Sequence, residues 1–291
     1  MAQSSAHKLG QLLGYLFEAS MKEVLKPIVI ERGLYLDYKK VRQARDGKKE
    51  VTGVDLLGNS HKLDYVIEKN GTEEEFGIPM AFIEIAWRRY AKHSKNKAEE
   101  IGDVLDAMYK TYSKTHPFKG AILAGVFTKP AIEQLKSKGI TVAYIDYNNI
   151  ISQFSNYGLS IEWGEETDGE SLANKVRELE TYIKTNEKNI ISDMIALNKE
   201  EFEKFTSELK RNFDRTIAKI IVTPLHGEKN IFGIGTKAIE FIKQYDENTE
   251  EHYEFNSYEI FVEYKDGLGE IRATLQNKEK AINFINLASN I

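Results

Sequence analysis

Two segments set the reading of this chain: Leu63-Asp64-Tyr65-Val66-Ile67, and then Pro79-Met80-Ala81-Phe82-Ile83-Glu84-Ile85-Ala86-Trp87. Each carries one carboxylate inside an apolar run. The second is too short and too uniformly apolar for anything but a strand covered on both faces. A carboxylate buried in such a strand is costly unless a cation or hydrogen bonds compensate it. A divalent cation is the natural compensation, and one Asp with one Glu suits Mg²⁺, which keeps water and substrate phosphate in its other positions. The chemistry implied is phosphodiester hydrolysis, with the metal activating water and stabilising charge on the phosphate.

Directly beyond Glu84 the chain reads Trp87-Arg88-Arg89-Tyr90-Ala91-Lys92-His93-Ser94-Lys95-Asn96-Lys97. Five cations with two aromatics interleaved make a local positive patch that a phosphate backbone can occupy. A charge run by itself reads as a solvated loop before a helix; its position after a buried Glu favours phosphate contact. Arg88, Arg89, Lys92, His93, Lys95 and Lys97 are the expected DNA contacts. The patch has to be local, because 40 Lys+Arg against 45 Asp+Glu leave a net charge of −5, and the field of the whole chain would not attract a polyanion.

Around these segments the periodicity alternates. From Lys8 to about Arg32, Leu9, Leu12, Leu13, Leu16, Met21, Val24 and Leu25 recur at helical spacing. Runs around Val51–Leu57 and Leu63–Ile67, separated by Gly58-Asn59, predict a hairpin. Helical period returns over Asn96–Tyr112. Buried strands are predicted at Gly120–Phe127 and Ile140–Asp146, with a helix over Thr128–Lys138, Pro130 near its first turn, and another over Asn148–Phe154. Helices alternating with buried strands make an α/β sandwich.

After Trp163 an acidic loop, Gly164–Glu170, marks a boundary. Val176, Leu179, Ile183, Ile190, Met194 and Leu197 then alternate at four and three, with Asn186 at one seam position, the pattern of a helix that protrudes or pairs. Asn198 with Glu201 looks like a capping pair opening a helix through Phe202, Phe205, Leu209 and Phe213, so a helical hairpin and a long coiled coil both remain open. The last stretch repeats itself: Ile220–Val222, a turn near His226-Gly227, Ile231-Phe232 and helix Lys237–Ile242 are echoed by Ile260–Val262, Asp266-Gly267, Ile271 and Lys280–Ile285. Two ββα units should share one antiparallel sheet, since neither alone has enough apolar surface to be stable. The expected division is 1–163, an α/β domain; 164–216, a helical arm or coiled-coil linker; and 217–291, a small α+β domain.

From Lys8 to Gln153 the chain resembles the PD-(D/E)xK nucleases, which include most type II restriction endonucleases and the Holliday-junction resolvases. The resemblance is carried by the element order (helix, three-strand meander, helix, strand, helix) and by Asp64 and Glu84 on consecutive strands. It implies a restriction-endonuclease-like αβββαβ core in which Asp64 and Glu84 hold Mg²⁺, with the Ile85 carbonyl as third ligand. Glu18, in Gly14-Tyr15-Leu16-Phe17-Glu18, stands where many members carry a helix-one Glu near the metal; an ordinary exposed helical acid is the alternative. One departure matters: Ala86 stands where the family has the lysine that orients the attacking water. Glu84, Ala86 and Arg88 share one strand face, but Arg88 stays protonated and is a poor proton acceptor. Lys95 is assigned the relocated role, with Lys62, Lys92 and Lys97 as further candidates.

The resemblance implies a Mg²⁺-dependent endonuclease cutting duplex DNA, in defence against foreign DNA. Cutting both strands with one site per chain implies a homodimer, for which the Leu172–Leu197 seam offers an interface. Ala86 favours the alternative, a catalytically inactive nuclease-fold module that binds DNA or a protein. A coiled-coil adaptor working through residues 170–215 is a third reading.

The remaining composition narrows the field. The chain has 291 residues, 41% hydrophobic and 29% charged, a globular profile. With no cysteine there is no disulfide scaffold, thiolate metal site or thiol nucleophile. No signal core and no membrane-spanning run are present, so a cytoplasmic protein with no membrane contact is expected. Gly233-Ile234-Gly235-Thr236-Lys237 lacks the spacing of a nucleotide-binding loop and reads as a turn opening a helix. The six histidines form no pair at ligand spacing.

Overall fold

In the computed structural model, which describes residues 4–225, 227–248, 254–267 and 269–289, the chain forms two units, Met1–Thr111 with Phe118–Lys210, and Tyr112–Pro117 with Arg211–Ile291. The first unit opens with helix α1 (Ser5–Glu31), where the Ser4 hydroxyl accepts the His7 amide, a standard N-cap. Leu9, Leu13, Leu16, Phe17, Met21 and Leu25 are buried along one side of it. Gly33, at φ +60°, then releases the chain into strand β1 (Leu34–Tyr38).

A hairpin of β2 (Val51–Val54) and β3 (Ser60–Leu63) stands as its own two-stranded sheet. Strand β4 (Tyr65–Lys69) leads to β5 (Ile78–Arg88), helix α2 (Ser94–Thr111), β6 (Phe118–Gly125), α3 (Lys129–Ser137), β7 (Thr141–Asp146) and α4 (Tyr147–Ser155). The central sheet has the order β1-β4-β5-β6-β7. β1, β4 and β5 run antiparallel, whereas β5, β6 and β7 run parallel. It is a mixed α/β architecture, with β5 in the middle buried at most of its positions.

The structure departs from the sequence reading in three places. The run Leu63–Ile67 is not one strand: it breaks at Asp64, Leu63 closing the hairpin opposite Val51 and Tyr65 starting the strand that pairs with β1 and β5. Second, β1 was not anticipated. Its Asp37 is buried, 1% exposed, and interrupts the apolar alternation that marks a strand. That carboxylate and Glu68 of β4 enclose the fully buried Arg42: Arg42 Nη1 lies 2.7 Å from Asp37 Oδ2, and its two terminal nitrogens donate to the Glu68 oxygens at 3.0 and 2.9 Å. Arg42 also donates to the carbonyls of Thr72 and Glu75, and Arg45 completes the cluster on Asp37. Bidentate geometry and satisfied donors make the buried charges tolerable, and they fasten the loop between β4 and β5.

Third, the expected arm does not protrude. Helices α5 (Gly169–Leu197) and α6 (Lys199–Phe213) follow α4. α5 packs along α1, with Val176, Leu179, Ile190 and Met194 buried. Lys8 pairs with Glu180 at 2.6 Å, Tyr15 bonds Glu187, and the Ser20 hydroxyl meets Met194. The seam expected to form a dimer interface is therefore occupied by α1, whose own apolar stripe needed a partner. α6 does not fold back as a hairpin; its Phe205 sets its ring edge-on to Phe118 of β6.

The second unit comprises β8 (Ile217–Pro224), β9 (Asn230–Phe232), α7 (Gly235–Gln244), β10 (Tyr258–Tyr264), β11 (Glu270–Leu275) and α8 (Lys278–Ala288). Its antiparallel sheet has the order β11-β10-β8-β9, so the first strands of the two ββα units pair at the centre. Ile220, Val222, Ile242, Tyr258, Ile260, Val262 and Ile285 form its core. The turn read near His226 falls in part outside the described residues.

Candidate active site

Asp64 occupies the break between β3 and β4, where the chain leaves the hairpin for the central sheet. The β4–β5 register pairs Tyr65 with Ile83; one step outward it sets Asp64 opposite Glu84. Residues directly opposite share a face. The backbone crosses between them twice: the Ile85 amide donates to Asp64 Oδ2 at 2.7 Å, and the Asp64 amide donates to Glu84 Oε1 at 3.4 Å. Glu84 is 8% exposed.

Burial is the largest influence on both acids. It raises the Asp64 carboxyl, opposed by the Ile85 amide and by the charges of Lys97 and Lys39. It also raises Glu84, and the neighbouring Asp64 charge adds to the rise. Glu18, on α1, is pushed up to about 7, first by burial and then by Asp64. The Tyr65 hydroxyl donates to the Glu18 carbonyl at 2.6 Å, fixing α1 to the start of β4. Three acids thus share one neighbourhood while the nearby cations are committed elsewhere, Lys39 to Glu50 at 2.9 Å and Lys97 to Glu100 at 2.7 Å.

An unneutralised carboxylate pair of this kind fits a hard cation. Among the described residues no group of three or more His, Asp or Glu side chains is gathered for a metal. The oxygens that could hold such a cation are the Asp64 and Glu84 carboxylates and the Ile85 carbonyl, a partial shell that water would have to complete.

A cleft of about 420 Å³ opens beside the pair, lined at one end by Glu18, Ile85 and Lys97 and continuing past Arg88, Trp87 and Gly14. Asp64 and Glu84 are not among the residues that line it; it reaches their neighbourhood through Glu18, Ile85 and Lys97. The far end of β5 is held by Gly125, at φ +96°, where a Cβ would fall 2.1 Å from the Arg88 carbonyl. Only glycine permits that approach. A larger open cleft of about 640 Å³, along Ile221, Phe261 and Arg272 of the second unit, has no comparable acid pair.

The basic segment divides by role. Lys97 is half-buried, lines the cleft, and acts on both Asp64 and Glu84. Lys95, assigned the catalytic role from the sequence, is exposed on the first turn of α2 and outside the cleft; two residues along a helix turn the side chain to the other side. Lys62 is exposed on the β2–β3 hairpin. Arg88 lines the cleft and donates to the Trp87 carbonyl at 2.8 Å. Arg89 is committed to the protein, donating from Nε to the Trp163 carbonyl at 2.7 Å and lying 4.1 Å over the Tyr147 ring. Lys92 pairs with Glu165 at 2.5 Å on the surface, and His93 is exposed in the turn before α2. Ala86 is buried. The sequence reading passed over Tyr65 and Lys39, whose roles depend on contacts distant along the chain.

The chain matches no protein-family model. It matches no curated protein. Among solved structures, the crystal structure of AF1548, a protein of unknown function, is similar over 68% of this chain and 98% of that chain, with 12% identity and a TM-score of 0.28. At that TM-score the likeness assigns neither fold family nor function. Among the described residues no helix is long and apolar enough to cross a membrane.

Proposed function

We propose that this chain is a Mg²⁺-dependent DNA endonuclease of restriction-enzyme type. The observation that carries the reading is the Asp64–Glu84 pair, Asp64 at the break just before β4 and Glu84 on β5, with Lys97 acting on both. The order α1, β1, β4, β5, α2, β6, with β5 and β6 parallel, supports an αβββαβ core into which the β2–β3 hairpin is inserted.

Asp64, Glu84 and the Ile85 carbonyl would hold the cation. When bound, Mg²⁺ supplies an activated water and stabilises charge on the phosphate. Lys97 replaces the lysine missing at Ala86: from α2 its ammonium offsets negative charge at the reacting phosphate and positions the attacking water. Glu18, being near neutrality at about 7, holds or releases a proton at its carboxyl beside the pair. Arg88 contacts phosphate from the cleft, while Lys92, His93 and Lys95 offer outer, salt-sensitive contacts.

Plasmid relaxation and linearisation with Mg²⁺ test the reading. Cleavage by the native chain, lost in chelator and in Asp64→Asn and Glu84→Gln, is expected. DNA binding without any cleavage would favour the second reading, an inactive nuclease-fold module, for which the specific observation is Ala86 at the lysine position.

A further inference from the structure

Arg88 ends β5 inside the cleft, half-buried, with one of its five N–H groups given to the adjacent Trp87 carbonyl. Among the described residues no carboxylate pairs with it; Glu100 acts only at a distance, and burial lowers its pKa. A desolvated guanidinium without an anion is expensive to keep. Next to it the Trp87 indole N–H edge faces α1, where a Cβ at Gly10 would come within 3.3 Å of the indole nitrogen. One turn further, a Cβ at Gly14 would meet nothing within 4 Å. Glycine inside a helix costs about 0.5–1 kcal/mol relative to alanine, and no packing in the protein asks for it at Gly14. The space above it belongs to the cleft.

We infer that this cleft holds a single unpaired nucleotide of the DNA strand, its phosphate on Arg88 and Lys97 and its base along the wall of Trp87 and Gln11, with Gly14 leaving room for the sugar. The inference rests on the nuclease reading and deepens it. A volume of about 420 Å³ is that of a small-ligand site, the size of one nucleotide rather than of a stretch of duplex. Enzymes that admit one nucleotide to such a pocket take it from a single strand or out of the base stack. Arg88, with four N–H groups beyond the one given to Trp87, and the exposed amide of Gln11 suit a ligand rich in acceptor oxygens and nitrogens, with the Lys97 ammonium shared between Glu100 and the phosphate.

The chain contains two tryptophans, Trp87 and Trp163, and both line this cleft, so intrinsic fluorescence reports its occupancy. The full chain is titrated in chelator with deoxyadenosine 5′-monophosphate, inorganic phosphate and deoxyadenosine separately. Saturable quenching by the nucleotide in the millimolar range is expected, with each fragment at least about tenfold weaker. Arg88→Gln and Gly14→Leu should each weaken the nucleotide about tenfold, an effect the size of one charge-assisted contact, while the melting temperature confirms that both variants are folded. Unchanged affinity in both folded variants, phosphate binding as tightly as the nucleotide, or no quenching by the nucleotide would each overturn the inference. Plasmid cleavage that persists alongside such a result would leave the endonuclease reading standing; absence of cleavage would remove both.

Discussion

Asp64, at the break just before β4, stands opposite Glu84 of β5, the two joined by a 2.7 Å bond from the Ile85 amide to Asp64 and a 3.4 Å bond from the Asp64 amide to Glu84. Like charges directly opposite repel, and burial raises both carboxyls. The pair is therefore a stability liability in the ion-free chain. Asp64→Asn and Glu84→Gln should each raise ion-free stability by on the order of 1–2 kcal/mol, read from denaturant midpoints in chelator, and should lower cleavage by at least about 100-fold. Variants that are less stable than the parent would contradict this picture of the pair.

Glu18 gives the pH dependence a sign. Its carboxyl rises from 4.5 to about 7 on folding, so its contribution is complete below pH 4.5 and is lost as pH climbs through about 7. Glu18→Gln should match the parent near pH 5 and exceed it near pH 8. Partial exposure and solvent screening reduce the difference to on the order of 1 kcal/mol. Thermal melts at the two pH values check it; a constant difference would mean that Glu18 is an ordinary helical acid.

Two lysines separated by one residue should behave differently. Lys97 lines the cleft and acts on both acids, whereas Lys95 points to solvent. Lys97→Ala should lower the single-turnover cleavage rate by roughly 10²–10⁴-fold, with DNA affinity falling far less. Lys95→Ala should leave the rate within about threefold and mainly reduce the salt slope of binding. The reverse ranking would restore Lys95 to the role the sequence suggested.

Arg42, with no exposed surface, satisfies Asp37, Glu68 and the carbonyls of Thr72 and Glu75 together. Arg42→Ala removes the guanidinium from the buried Glu68 and leaves Asp37 with Arg45 alone, and should cost about 3–5 kcal/mol. Urea unfolding followed by tryptophan fluorescence would show a midpoint far below the parent's; a loss under 1 kcal/mol, on the order of a surface pair, would mean the cluster is hydrated.

The reach of sequence reasoning followed the range of the interactions involved. Strand β5 and the helical stripe of α1 were legible because burial imposes period and composition locally. Asp64 and Glu84 stood out because each breaks an apolar run. Strand β1 was hidden because its inward position holds Asp37, and the compensating Arg42 comes from the following loop. For α5 the sequence left protruding and pairing both open, and α1 as its partner was not legible, because a stripe shows that a helix needs a partner, not which one. Lys97 and Lys95 differ only in helical phase relative to a strand that precedes them, which required the register of α2 on the sheet.

The most direct test is isothermal titration of the metal-free chain with Mn²⁺ at neutral pH, repeated on Asp64→Asn and Glu84→Gln. Binding at about one ion per chain is expected, tightening as pH rises because the raised carboxyls must lose their protons first, and falling by at least about tenfold in each variant. Equal Mn²⁺ uptake by parent and variants, or none by the parent, would mean that the two carboxylates do not share a cation.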